Sequence, residues 1–104
     1  MIEFKLKEEE FLNEYDKREE DEKAIKFMIL MNRGFKEIEK HDKLVTGIDI
    51  SPKIFSIMES LGEEYFNKEC DDSDVVGYFW TADVRVKEDL NGSIVFSHDE
   101  NKYK

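Results

Sequence analysis

Cysteine is nearly missing from these 104 residues: Cys70 stands alone. A single thiol excludes an internal disulfide and fits a reducing compartment. Proline occurs once, at Pro52, so the chain has no Pro-rich linker and shows no second-domain boundary. The five glycines, Gly34, Gly47, Gly62, Gly77 and Gly92, are scattered singly, which leaves no Gly-rich loop to cradle a phosphate. Long apolar runs are also lacking. The longest is Phe27-Met28-Ile29-Leu30-Met31, far short of the roughly 20 residues needed to span a membrane. The opening Met1-Ile2-Glu3-Phe4-Lys5 has no signal-peptide character. These absences lead to the expectation of a soluble, cytoplasmic protein that does not engage membranes.

What is present is acid. The chain has 26 Asp and Glu against 16 Lys and Arg, a formal net charge of −10. The excess is concentrated at the two ends. Residues 1–22 contain ten acids and four bases, residues 23–55 four and seven, and residues 56–104 twelve and five. A field of this sign repels nucleic acid and anionic lipid and attracts basic surfaces. Aromatic residues make up 12% of the chain, eight of them Phe. That is too many for a disordered polyelectrolyte, so a packed core is expected.

One domain of α+β (or mixed α/β) class is expected over 1–104, with an acidic strand and helix in 1–23, a core in 24–96 and a polar, fraying tail in 97–104. Ile2, Phe4 and Leu6 alternate with charged residues, the period of a half-buried strand. From Glu8 the spacing of Phe11, Leu12 and Tyr15 predicts a helix, with Asp16 to Glu22 a solvated helix or a charged connection. The run Ala24 to Met31 has the length of a central strand covered on both faces, with a buried helix as the alternative. Asn32 is a candidate N-cap for a short helix through Phe35 and Ile38 to about His41, and Leu44, Ile48 and Ile50 fit a second strand.

Ser51-Pro52 predicts a helix start, because Ser supplies a capping oxygen and Pro at the first position loses no needed hydrogen bond. Ile54, Phe55, Met58 and Leu61 would form its core face, with Gly62 as a left-handed cap or, alternatively, Tyr65 and Phe66 extending it by another turn. Tyr78, Trp80, Ala82, Val84 and Val86 alternate with Phe79, Thr81, Asp83, Arg85 and Lys87, which predicts one long strand. Asn91-Gly92 would then turn the chain into Ile94-Val95-Phe96. The sum is a sheet of three or four strands, two or three helices and a C-terminal β-hairpin.

Catalytic or metal-binding chemistry finds little support. His41-Asp42 and His98-Asp99 are sequence neighbours in polar segments, and adjacency does not give the orientation a general base requires. Cys70 is surrounded by Glu69, Asp71 and Asp72, which oppose a reactive thiolate. Asp72-Ser73-Asp74 with Gly77 at the sixth position imitates a calcium loop. Its fifth position is Val76, without a ligating oxygen, and its twelfth, Asp83, falls in a strand. Serine elbows and Cys/His metal sets are lacking. No catalytic residue, metal or cofactor is expected. Lys36, Lys40 and Lys43 in the basic middle are read as partners of Glu37, Glu39 and the acidic ends, not as a nucleic-acid stripe.

Met28-Ile29-Leu30-Met31-Asn32 leads into a helix, and a strand follows into Ile50-Ser51-Pro52-Lys53-Ile54-Phe55. Gly77-Tyr78-Phe79-Trp80, Asp83-Val84-Arg85-Val86 and Leu90-Asn91-Gly92 come later. In this order, residues 24–96 resemble small tailed-phage accessory proteins and, distantly, a segment of the phage major-capsid fold. A Gly usually follows the Leu-Trp pair there; here Thr81 follows Trp80. The resemblance implies a viral, non-enzymatic role.

The expected function is therefore a small acidic, phage-encoded interaction protein. It would bind and inhibit a basic host protein that itself binds nucleic acid, by presenting carboxylates in place of DNA phosphates. Candidate contacts are Glu8, Glu9, Glu10, Glu14, Glu19, Glu20, Asp21 and Glu22 at one end and Glu63, Glu64, Glu69, Asp71, Asp72 and Asp74 at the other. Phe79 joins them as an exposed aromatic anchor, with Trp80 in the core. An equally weighted reading is that the acid only keeps the domain soluble. The alternative function is a virion or assembly component. Oligomeric state, and whether the two acidic blocks share a face, stay open.

Overall fold

The alternation of Ile2, Phe4 and Leu6 with Glu3, Lys5 and Lys7 produces β1 (Ile2–Lys7), with Leu6 buried and the charged residues exposed. The computed structural model describes residues 2–17, 19–62, 66 and 75–99. Within them the chain is an α+β domain of three helices and one five-stranded sheet. After β1 come α1 (Glu8–Asp16), α2 (Glu20–Glu39), β2 (Gly47–Ile50), α3 (Pro52–Leu61), β3 (Val75–Phe79), β4 (Ala82–Val86) and β5 (Ser93–His98).

The sheet order is β1-β5-β2-β4-β3. Only β2 and β4 run parallel; β1–β5, β2–β5 and β3–β4 are antiparallel. Leu6, Ile48, Ile50, Val84, Ile94 and Phe96 carry the inner face. They join Phe11, Phe27, Leu30, Met31, Phe35, Ile38, Ile54 and Met58 from the helices in one core. The opposite face of the sheet is mostly polar and charged, with Val95 buried among its neighbours. Register aligns Lys5, Val95, Asp49 and Arg85 across four strands, and Glu3, Ser97, Gly47 and Asp83 beside them.

Three sequence expectations are corrected here. Ala24–Met31 is not a central strand; it is the middle of the 20-residue helix α2. Phe27, Leu30, Met31, Phe35 and Ile38 follow helical spacing and are buried, whereas Ile25 and Ile29 project outward at 62% and 57% exposure. Two outward isoleucines fill positions that an amphipathic helix normally gives to charge, and the run thereby imitates a strand buried on both faces. Asn32 accordingly lies inside α2 and caps nothing, and Leu44 is exposed ahead of β2.

The second correction concerns the long strand expected at 78–87, which is a hairpin. The chain reverses at Trp80-Thr81 and Phe79 pairs with Ala82. Trp80 takes φ 54°, at the place in a two-residue turn where Gly is usual. Third, Asn91-Gly92 adopts the expected positive φ values of 52° and 76° but joins strands that are not neighbours. β2 lies between β4 and β5, so the hairpin is at 75–86 and the sheet has five strands instead of three or four. β5 also runs on through Ser97 and His98, which pair with Glu3 and Ile2.

The Ser51-Pro52 helix forms as expected. Ser51 Oγ accepts from Ile54 N at 3.3 Å and Pro52 opens α3. Gly62 closes it at φ 88° and ψ 175°, an extended positive-φ conformation in place of the expected left-handed cap. Among the described residues no helix is long and apolar enough to cross a membrane.

Candidate interaction surface

The N-terminal acids fall at two helix starts. Neither α1 nor α2 has a side-chain N-cap hydrogen bond; Lys7 and Glu19 occupy the cap positions. Glu8, Glu9 and Glu10 form the first turn of α1, and Asp21 and Glu22 lie in that of α2; the side chain of Glu20 lies outside the description. Carboxylates there face the positive end of the helix dipole, so part of this acid has a local structural role. α1 and α2 are joined through residues 17–19, which brings Asp16, Glu19 and Asp21 to one end of a helical hairpin.

Individual carboxylates differ in availability. Glu8 is half-buried and accepts a hydrogen bond from Ser51 Oγ, which ties the start of α1 to the cap of α3. Glu14 is held by Lys26 at 3.1 Å. Lys23 sits 5.2 Å above the Tyr15 ring. By contrast, Glu9, Glu10, Asp16, Glu19 and Asp21 are exposed and form no ion pair or side-chain hydrogen bond among the described residues. Elsewhere Lys40 pairs with Glu37 at 2.8 Å, as the sequence suggested for the basic middle, and Lys87 with Asp49 at 3.3 Å.

Glu9 and Asp16 also line a polar cleft of about 650 Å³ with Lys7, Asn13, Lys53 and Ser93. It lies where α1 meets the start of α3 and the turn before β5. Glu8 N donates to Gly92 O at 2.9 Å in its wall.

The second acidic group, Glu63, Glu64, Glu69, Asp71, Asp72 and Asp74, lies outside the described residues, as does Cys70. Phe66 is described: it is buried against the edge of Phe55, with ring centroids 6.0 Å apart.

Phe79 is not an exposed anchor. It is 1% exposed and packs against Phe27, Phe35 and Trp80. Trp80, expected in the core, is 50% exposed, and Tyr78 is 36% exposed. The turn at Trp80 causes this exchange. It ends the strand at Phe79, and pairing with Ala82 places Phe79 on the inner face. No Gly, Asn or Pro marks that turn, so strand alternation alone could not find it.

The histidines are separate. His98 Nδ1–H donates to Leu44 O at 2.7 Å, while Asp99 N donates to Thr46 Oγ1 at 2.8 Å. His41 is exposed beyond the end of α2. Asp83 lies within β4. Among the described residues no three His, Cys, Asp or Glu side chains converge as metal ligands. No buried side-chain nitrogen or oxygen lacks a hydrogen-bond partner there.

No protein-family model matches this chain, and neither the curated proteins nor the solved structures provide a significant match.

Proposed function

We propose that this protein is a small, non-enzymatic, acidic binding protein that occupies a basic, nucleic-acid-binding surface of a host protein. The observation that carries the proposal is the group of exposed, unengaged carboxylates on the α1–α2 hairpin: Glu9, Glu10, Asp16, Glu19 and Asp21. A surface of this kind attracts a cationic groove at long range, and its carboxylates stand where phosphates would lie. The resemblance of residues 24–96 to tailed-phage accessory proteins adds a phage origin to the proposal and supplies the host as the source of the partner.

The test is capture of bacterial proteins on the immobilised protein, followed by DNA competition with each captured protein. Binding should weaken steeply with salt, because exposed charges are screened over about 10 Å at 0.1 M. A variant combining Glu9→Gln, Glu10→Gln, Asp16→Asn and Glu19→Gln should lose the captured proteins. Capture that survives in this variant, or partners that bind this protein and DNA together, would rule the reading out.

A second reading, a virion or assembly component, draws on the edge strand β3 and the exposed Tyr78 and Trp80 at its end. It predicts co-purification with particles. Absence from purified particles of an infected culture would remove it.

A further inference from the structure

Ile25 and Ile29 stand one helical turn apart on the side of α2 opposite its buried residues. The same outward stripe continues to Asp21 at one end and to Arg33 and Lys36 at the other, all exposed. None of these three charged residues has an ion pair among the described residues. A shallow groove of about 340 Å³ runs beside the isoleucines, lined by Glu22, Ile25, Lys26 and Ile29.

From this arrangement we infer that α2 is a self-association surface: two copies of the chain pair antiparallel through their α2 stripes. The stripe is self-complementary only in that orientation. A two-fold axis on the exposed side of α2, midway between Ile25 and Ile29, sets Ile25 against Ile29 of the second copy, and the same symmetry sets Asp21 against its Arg33. Parallel pairing would oppose Asp21 to Asp21 and Arg33 to Arg33, so charge selects the antiparallel form. The helix dipoles also run opposed in that form.

Four isoleucine side chains make a small apolar centre, below the area of a standard stable interface, so the dimer is weak and reversible. Each copy carries a net −10. Overall repulsion therefore opposes pairing at low ionic strength, and moderate salt favours it. The stripe shares Asp21 with the proposed host-binding surface, but the two tests stay separable, because the four carboxylates neutralised in the capture experiment are not part of this stripe.

Sedimentation equilibrium of the full chain in 0.15 M salt, over about 10 μM to 1 mM, should show a monomer–dimer equilibrium with a dissociation constant on the order of 100 μM. Ile29→Glu should weaken it by about tenfold or more, and Arg33→Asp by roughly fivefold. The decisive variant is Asp21→Arg combined with Arg33→Asp, which rebuilds the cross-copy pairs with reversed sign and should restore association to within about threefold of the unaltered chain. All three positions are exposed, so helical circular dichroism should be unchanged and loss of folding is separable from loss of association. A monomer throughout the range, a dimer indifferent to Ile29→Glu, or a double swap no stronger than Arg33→Asp alone overturns the inference.

Discussion

Gly34 of α2 rests directly on the ring of Phe96 in β5: a Cβ at position 34 would lie 2.4 Å from the ring carbons Cδ1 and Cε1. Phe96 is fully buried beside Phe4 and Phe35, so its ring has little space into which to retreat. A glycine inside a helix costs about 1 kcal/mol relative to alanine. Here that cost permits the helix to approach the sheet closely enough to cover its central strands. Gly34→Ala should therefore destabilise the fold by about 1–3 kcal/mol through overpacking, despite the better helix former. Adding Phe96→Leu should recover part of that loss. Urea unfolding of the single and double variants measures the coupling; a stabilising Gly34→Ala would refute the close contact.

Ser51 joins two elements. Its Oγ accepts from Ile54 N at the start of α3 and donates to the Glu8 carboxylate at the start of α1. Ser51→Ala removes both bonds and should cost about 1–2 kcal/mol. Glu8→Gln keeps an acceptor for the hydroxyl and should cost less. Denaturant midpoints of the two variants check the order.

Phe27 is the centre of the aromatic core, with edge-on contacts to Phe11 at 5.3 Å, Tyr15 at 6.4 Å and Phe79 at 6.0 Å between ring centroids. Phe27→Ala should cost about 3–5 kcal/mol and unfold much of the population. Phe27→Leu should be markedly milder. The helical circular dichroism of the Leu variant should match that of the parent, as expected for a residue in α2 and not in a strand.

Trp80 is the chain's single tryptophan and is half exposed, with one edge on Phe35 at 4.8 Å between centroids. Its fluorescence in the native state should be readily quenched by acrylamide. A blue-shifted, quencher-resistant emission would instead place the indole in the core and contradict the turn at Trp80-Thr81.

The exposed acids bear mainly on binding. The four-fold neutralised variant Glu9→Gln, Glu10→Gln, Asp16→Asn and Glu19→Gln should lose about 1–2 kcal/mol at most, from weaker dipole compensation at the start of α1. Thermal unfolding at 0.15 M salt checks this, and a much larger loss would make the acids structural.

Legibility in the sequence followed how local each signal is. Ile2, Phe4 and Leu6 revealed β1 because alternation is a property of consecutive residues. Ser51-Pro52 and Gly62 revealed α3 because caps act within one turn. Trp80 hid the β3–β4 hairpin, since a tryptophan at positive φ, packed on Phe35 and Phe79, carries none of the usual turn signals. The candidate surface was half legible. Exposure of Glu9, Glu10 and Asp16 follows from helix periodicity, whereas the engagement of Glu8 by Ser51, 43 residues away, does not.

The amino-acid sequence by itself determined that this chain folds as one α+β unit with an acidic surface, because apolar periodicity, aromatic content and charge are carried residue by residue. Only the tertiary structure decided that Ala24–Met31 is helical, that Phe79 is inside and Trp80 outside, and that β2 separates β4 from β5. Each of those outcomes depends on contacts between residues far apart in the chain. A run of apolar side chains satisfies helix and strand equally until a sheet is present to choose which of its faces is buried.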